Sequence, residues 1–289
     1  MEACKSAFGE EIEISKKDDK YPLDQQLIKW YMRYPEKPLS DEYFWEIVNE
    51  TDQQKKKVLI DKLVDYAGKN SFETGFFAED QEVEVGGFGG HAFVIDDKEI
   101  YYIFFKKIDE NINEVIEKNK SVEEMKIPII ANAVLKTEIE YFGSGNQART
   151  NRLRLLARIY NEENDSFNAP SIKVLKGKGL AECVEMASVA HNLFTLAGIK
   201  SYYICSKDCH LGDVDSEYRN DGHAFELFVD KGVYRIFDLA LRNFGKIKGD
   251  PIKDLMEDKP VVIEGKGVRE NGVYANYSKM READGKNLK

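Results

Sequence analysis

Three residues in the second half of the chain have the types and the order that nucleophilic catalysis needs. Cys183 lies near the start of a helix-like stretch, GKGLAECVEMASVAHNLFTLAGIKSYYIC, His223 opens the strand-like HAFELFV, and Asp238 closes VYRIFD. A thiolate attacks an amide carbonyl when a base lies within hydrogen-bond reach and a third group orients that base. The set predicts covalent catalysis by cysteine.

The predicted helix favours Cys183 as the nucleophile. It runs from about Ala181 to Ala197, Gly198 ends it, and Met186, Val189, Ala190, Leu193 and Ala197 share one face. Cys183 therefore lies in the first turn, where the helix dipole lowers the pKa of a thiol. The alternative is a small buried apolar residue, as free cysteines often are. The histidine and the aspartate downstream favour catalysis.

The spacing of His223 and Asp238 fits one hairpin. With Lys231 and Gly232 as a two-residue loop, or with a four-residue loop around them, Asp238 pairs with Phe225. His223, two residues before Phe225, then projects from the same face as Asp238 and is its diagonal neighbour. A three-residue loop would break this register unless a bulge restored it.

The tripeptide HAF also occurs earlier, in GGFGGHAFVIDDKEIYYIFF from residue 86 to 105. We predict a second hairpin over 83–105, with HAFVI and EIYYIFF as its strands and DDK as its turn. The same register places Tyr102 opposite Phe93, at the position that Asp238 occupies in the later copy. Cys4 is the only cysteine upstream. His91 is therefore interpreted as structural or adjacent to a substrate.

The order of these residues resembles the transglutaminase-like superfamily. Its members carry Gly-x-Cys-x-x-x-Ala on a helix with an ALGI-like end, then a His-Ala-Trp strand and an aspartate about fifteen residues on, here GKGLAECVEMA, LAGI, HAF and the D of RIFD. The resemblance covers about 65 residues. It implies Cys183 as nucleophile, His223 as general base and acid, and Asp238 as the partner that orients the base.

Two positions depart from the family pattern. Ala181 and Glu182 replace the glycine that usually stands close before the cysteine, and Phe225 replaces the tryptophan and so lacks an indole N–H. The family also has an oxyanion-hole side chain outside the nucleophile helix. Its candidates here are Asn168, Gln147 and Lys178.

The expected fold class is α+β, with a helical N-terminal part and a transglutaminase-like, papain-like core in which the nucleophile helix packs on an antiparallel sheet. We expect a mainly helical region over 1–165 with the hairpin near 83–105, a catalytic core over 166–275 and a polar tail over 276–289. Helical patterns occupy 22–34, 40–50, 51–70 and 109–162. In 51–70, Thr51 is the candidate N-cap, and the apolar stripe is Val58, Leu59, Leu63 and Tyr66.

Composition excludes some classes of partner. Across 289 residues, Lys and Arg number 42 against 52 Asp and Glu, a net charge of −10, which gives no electrostatic reason to bind nucleic acid or an anionic membrane. No secretory signal pattern or long apolar stretch appears, so cytoplasmic residence is expected. A protein or peptide substrate is the expected partner, no cofactor is expected, and the oligomeric state stays open.

The remaining cysteines and histidines allow other interpretations. Cys205, Cys209 and His210 in CSKDCH could form part of a zinc site with Asp213 or Asp215 as a further ligand. Loop thiols or a disulfide between the two cysteines are the alternatives, and the catalytic interpretation calls for no metal. His191, within the Cys183 helix, is interpreted as a packed or capping histidine.

The leading functional hypothesis is a cysteine-dependent enzyme that acts on amide bonds through a thioester on Cys183. With water as acceptor it is a protease, amidase or deamidase, and with an amine it is a transglutaminase. Hydrolysis is preferred because water needs no dedicated second site. The alternatives are a non-catalytic protein-interaction module that retains the fold, and an N-acetyltransferase that works through an acyl-cysteine.

Overall fold

The computed structural model describes residues 30–84, 92–143, 169–206, 223–240, 243–256 and 262–264. In chain order its elements are β1 (Trp30–Arg33), α1 (Asp41–Asn49), α2 (Gln53–Lys69), α3 (Ser71–Thr74), β2 (Glu82–Glu84), β3 (Ala92–Val94), α4 (Glu99–Glu117), α5 (Lys126–Phe142), a 3-10 helix (Ile172–Leu175), α6 (Cys183–Leu196), β4 (Ser201–Ser206), β5 (His223–Asp230), β6 (Val233–Asp238), β7 (Asn243–Lys248), α7 (Pro251–Met256) and β8 (Val262–Glu264).

The main sheet is six-stranded in the order β1-β4-β5-β6-β7-β8. Each neighbouring pair in it is antiparallel. Strands β2 and β3 form a separate antiparallel pair. Helices joined to an antiparallel sheet confirm the α+β class. None of the described helices has the length and apolarity that crossing a bilayer requires.

Helix α6 lies in the middle of the molecule. It packs against β4, β5 and β6 on one side and against α5 on another, and α5 packs in turn on α4. Side chains alternate along β5. Ala224 and Phe228 join the core shared with the helices, whereas Phe225 and Leu227 join a second apolar cluster. Both faces of the central strand are therefore covered, and α6 is held from several sides.

The predicted helices at 40–50 and 51–70 are confirmed as α1 and α2, but two details of α2 were wrong. Asp52, not Thr51, caps the helix by accepting from the amides of Gln54 and Lys55. The buried side chains are Lys56, Ile60, Leu63, Val64 and Ala67. Val58 and Tyr66 are 52% and 48% exposed. Lys56 lies on the buried face because its ammonium pairs with Asp109 at 2.7 Å. A charged residue on this face does not fit an apolar stripe, so the sequence pattern did not identify the face.

The predicted return strand EIYYIFF is instead the start of α4. Ile100, Tyr101, Phe104, Phe105 and Ile108 are all buried, at the spacing of one helix face. The side chain of Asp97 accepts from the amide of Glu99 and so caps the first turn. Strand β3 pairs with β2, which places Phe93 opposite Val83 rather than Tyr102. Packing at helical period overrode the β propensity of the Tyr/Ile/Phe run.

The helical prediction for 22–34 is wrong over Trp30–Arg33, which form β1 and pair with β4 at the edge of the sheet. The helical prediction for 109–162 holds through Glu117 in α4 and over α5. Residues 22–29 and 146–164 lie outside the described part of the chain.

Candidate active site

Cys183 is the first residue of α6, as predicted. The N-cap is Glu182, whose amide donates to Glu185 Oε2 at 2.9 Å, so the backbone turns sharply into the helix at this point. Cys183 is a partly exposed free thiol. The first amides of a helix have no intrahelical acceptor and carry the positive end of its dipole. The position suits a thiolate.

The hairpin of β5 and β6 has the predicted register. Lys231 and Gly232 form its turn with φ of 50° and 79°, and two positive φ values are typical of the two-residue turn that matches strand twist. Pairs run from Asp230 with Val233 to Glu226 with Phe237. In this register the next pair brings Asp238 opposite Phe225.

His223 opens β5, where its backbone pairs with Ser206 of β4. It stands two residues before Phe225 and so lies next to Asp238 on the neighbouring strand. Its side chain lies outside what the structure describes. The predicted approach of the imidazole to Cys183 and Asp238 therefore stays a prediction.

Cys183 and Asp238 line one cleft between α6, α5 and the ends of β5 and β6. The cleft has an empty volume of about 170 Å³, a figure that includes open solvent, and nowhere is it wide enough to hold a water molecule. Asp238 is only 2% exposed. The lining residues are Glu138, Cys183, Met186, Ala187, Ala224, Phe225, Phe237, Asp238, Leu239 and Ala240. Two of the three predicted catalytic residues thus line the same cleft.

Glu138 of α5 belongs to this cleft, and sequence reasoning missed it. It is 1% exposed, and neither carboxyl oxygen has a hydrogen-bond partner among the described residues. Burial raises its pKa well above the ordinary value, and the carboxyl groups of Glu226 and Asp238 raise it further. The backbone of Ala190 offsets part of that rise. The available signal was its place in AVLKTEIEYF, on the same helical face as the apolar Val134 and Tyr141.

His191 is a second buried group, two turns beyond Cys183 on α6. Its Nδ1 lies 2.9 Å from Glu226 Oε1 and 3.2 Å from Ser201 Oγ, and its Nε2 lies 3.0 Å from the carbonyl oxygen of Gly75. Since a carbonyl only accepts, we assign a proton to Nε2. All three side chains that meet at Nδ1 are 0% exposed. The prediction of a packed histidine is confirmed, and these residues act in packing rather than on a substrate.

The other candidates contribute little to this cleft. Cys205 lies within β4 and pairs with Ala224. The Nζ of Lys178 donates to the carbonyl of Val174. Within the described ranges no group of three His, Cys, Asp or Glu residues could hold a metal ion. The remaining candidates lie outside those ranges: Cys4, His91, Gln147, Asn168, Cys209, His210, Asp213 and Asp215.

No family model, curated protein or solved structure matches this chain.

Proposed function

We propose that the chain is a cysteine-dependent acyl-transfer enzyme that acts on amide bonds of a protein or peptide. The observation that carries the proposal is one cleft lined by Cys183 at a helix start and by the buried Asp238. His223 lies beside Asp238 in the hairpin register. A nucleophile, a base and a group that orients the base are the parts that such catalysis requires.

The chemistry follows from these roles. The Cys183 thiolate attacks the amide carbonyl carbon, and the free amides at the start of α6 stabilise the negative charge that develops on its oxygen. The carbon–nitrogen bond breaks, protonated His223 gives its proton to the leaving amine, and a thioester remains. Neutral His223 then removes a proton from water, which attacks the thioester and releases a carboxylic acid and the thiol. An amine in place of water gives a cross-link.

We propose that the core has the transglutaminase-like, papain-like arrangement. Support comes from the order of helix, strand and hairpin and from the packing of α6 on the antiparallel sheet. The resemblance quoted for GKGLAECVEMA and HAF supports the same arrangement. Hydrolysis is the preferred outcome because water needs no second binding site.

The test combines turnover with labelling. Cys183→Ala should abolish cleavage of a peptide library and labelling by a thiol-reactive probe at neutral pH, while Cys205→Ala and Cys209→Ala should retain both. Profiling the library with and without an added amine separates hydrolysis from cross-linking. Equal labelling of all four cysteines in the folded wild type would overturn the proposal.

The narrowness of the cleft favours a second candidate, a protein-interaction module that keeps the fold without catalysis. A sulfur at a cleft too narrow for water gives a substrate carbonyl no room to enter without movement. For such a module Cys183 should react no faster than a cysteine in the urea-unfolded chain. Faster reaction in the folded chain supports the enzyme and opposes the module.

A further inference from the structure

Glu138 interacts electrostatically with two other buried carboxyl groups, those of Glu226 and Asp238. Glu138, Glu226 and Asp238 are 1%, 0% and 2% exposed and come from α5, β5 and β6. The repulsion between Glu138 and the other two groups is weakly screened because little water reaches a buried site. Carboxyl groups that share a buried site do not all ionise at neutral pH. At least one of the three must therefore keep its proton.

The surroundings decide which group keeps it. Burial raises the pKa of Glu226, and His191 at 2.9 Å, Ser201 and the backbone of Tyr202 offset part of that rise. Glu138 has no hydrogen-bond partner among the described residues. No lysine is among the groups that act on Glu138 in the described part of the chain, and Lys107 of α4 pairs with Glu110 and Glu140. Lys136 pairs with Glu114. Of the three, Glu138 is the group with the least support for a negative charge.

We propose that Glu138 is a positioning residue of the Cys183 cleft, where it stays a neutral carboxylic acid and leaves Asp238 to orient the base. This inference rests on the proposed function. Two carboxyl groups in one cleft can have different roles when their surroundings give them different proton affinities. Glu138 acts through Asp238 and needs no contact with the substrate.

The consequence for the site is electrostatic. A negative charge on Glu138 would repel the negative charge that develops in the cleft when Cys183 attacks a substrate. Among the described residues, the groups that line the cleft with Glu138 or act on it electrostatically are Cys183 on α6, Glu226 on β5 and Asp238 on β6, with the backbone of Ala190 as a weaker neighbour. The cleft should therefore lose reactivity at the pH where Glu138 ionises.

The first measurement is the net charge of the folded chain, which needs no turnover. In native electrophoresis at pH 7, Glu138→Gln should migrate with wild type, because an uncharged acid is replaced by an uncharged amide. Glu140→Gln is the matched control on the same helix. It removes a carboxylate that pairs with Lys107, so its mobility should shift by one charge. A one-charge shift for Glu138→Gln would overturn the proposal. If that variant does not fold, Glu138→Met is measured in its place.

The second measurement follows both mobility and alkylation of Cys183 by a neutral reagent as pH rises. At high enough pH, wild type should carry one more negative charge than Glu138→Gln. At that pH the alkylation rate of Cys183 in wild type should be lower than in the variant, by on the order of tenfold. If no extra charge appears, the two rate profiles should run parallel. Rates that diverge while the charges agree would contradict the proposal.

Asp238→Asn tests the coupling between the two carboxyl groups. Removing the charge of Asp238 should lower the pH at which Glu138 ionises, measured as the mobility difference between Asp238→Asn and the double variant with Glu138→Gln. An unchanged ionisation pH would mean that Glu138 does not act on Asp238. An unreactive Cys183 in wild type would instead refute the proposed function. The charge measurements on Glu138 would remain valid in that case.

Discussion

His191 Nδ1 lies 2.9 Å from Glu226 Oε1, and both side chains are completely buried. The pair joins α6, two turns beyond Cys183, to β5, three residues beyond His223. The other ring nitrogen bonds to the carbonyl of Gly75, which follows α3. One imidazole thus ties the helix with the candidate nucleophile to the strand with the candidate base and to the N-terminal helices.

We expect His191→Gln to destabilise the fold strongly. It removes the imidazole that meets the buried Glu226 carboxyl group, and leaving a buried polar group without its hydrogen-bond partner costs about 1–3 kcal/mol. Urea unfolding followed by circular dichroism measures the loss. The exposed Glu140→Gln serves as control and should change the unfolding free energy by less than about 1 kcal/mol. A similar small change in His191→Gln would mean that the pair does not hold these elements together.

Glu138→Gln should become more stable relative to wild type as pH rises. Burial raises the pKa of Glu138, so the unfolded chain loses this proton at lower pH than the folded chain does. The stabilisation of wild type by the protonated group is complete below the unfolded pKa and is lost as pH rises toward the folded pKa. The difference should grow by up to about 1.4 kcal/mol per pH unit above about pH 4.3.

Urea unfolding of both chains between pH 4 and pH 9 measures that difference. Titration of all other groups largely cancels when the variant is subtracted from wild type at each pH. A difference that stays flat over this range would show that Glu138 ionises normally in the folded chain.

Asp238→Asn should reduce turnover by about 10²- to 10⁴-fold if Asp238 orients the base, because the amide favours the wrong tautomer of the imidazole. Steady-state kinetics on the best library peptide measures the loss in kcat. The control is Asp230→Asn at the far end of the same hairpin, where Asp230 pairs with Arg235 at 2.8 Å. Equal effects of the two variants would point to damage to the hairpin rather than to the base.

Gly75→Ala should destabilise the chain more than Gly177→Ala. Both glycines have positive φ, 74° and 67°, which costs a side chain about 1 kcal/mol. At Gly75 an added Cβ would also lie 2.8 Å from the carbonyl carbon of Tyr34, whereas at Gly177 it would meet nothing within 4 Å. Thermal unfolding measures the loss of stability in each variant. Gly75→Ala combines backbone strain with a steric clash, whereas Gly177→Ala has backbone strain alone. Equal losses would mean that the segment around Tyr34 moves away freely.

Local signals were sufficient for the elements that carry the candidate catalytic residues. Gly198 has φ of 68° and ends α6, and the repeat of apolar residues before it is long enough to place Cys183 at the helix start. Lys231 and Gly232 determine the register of β5 with β6, because a two-residue turn leaves only one pairing. Helix starts and tight turns depend on a few neighbouring residues, which the sequence displays directly.

Other features depended on contacts between distant segments. The run after Asp97 has strand-forming side chains but becomes helix α4, because α5 offers a surface for packing at helical spacing. Lys56 lies on the buried face of α2 because Asp109 neutralises it. Glu138 shares a helix face with Val134 and Tyr141, but this local signal does not show which carboxyl groups lie near it. Sequence alone determined where the candidate nucleophile and the hairpin of His223 and Asp238 lie. Tertiary packing decided which carboxyl groups share the cleft, because burial and charge repulsion exist only once the segments meet.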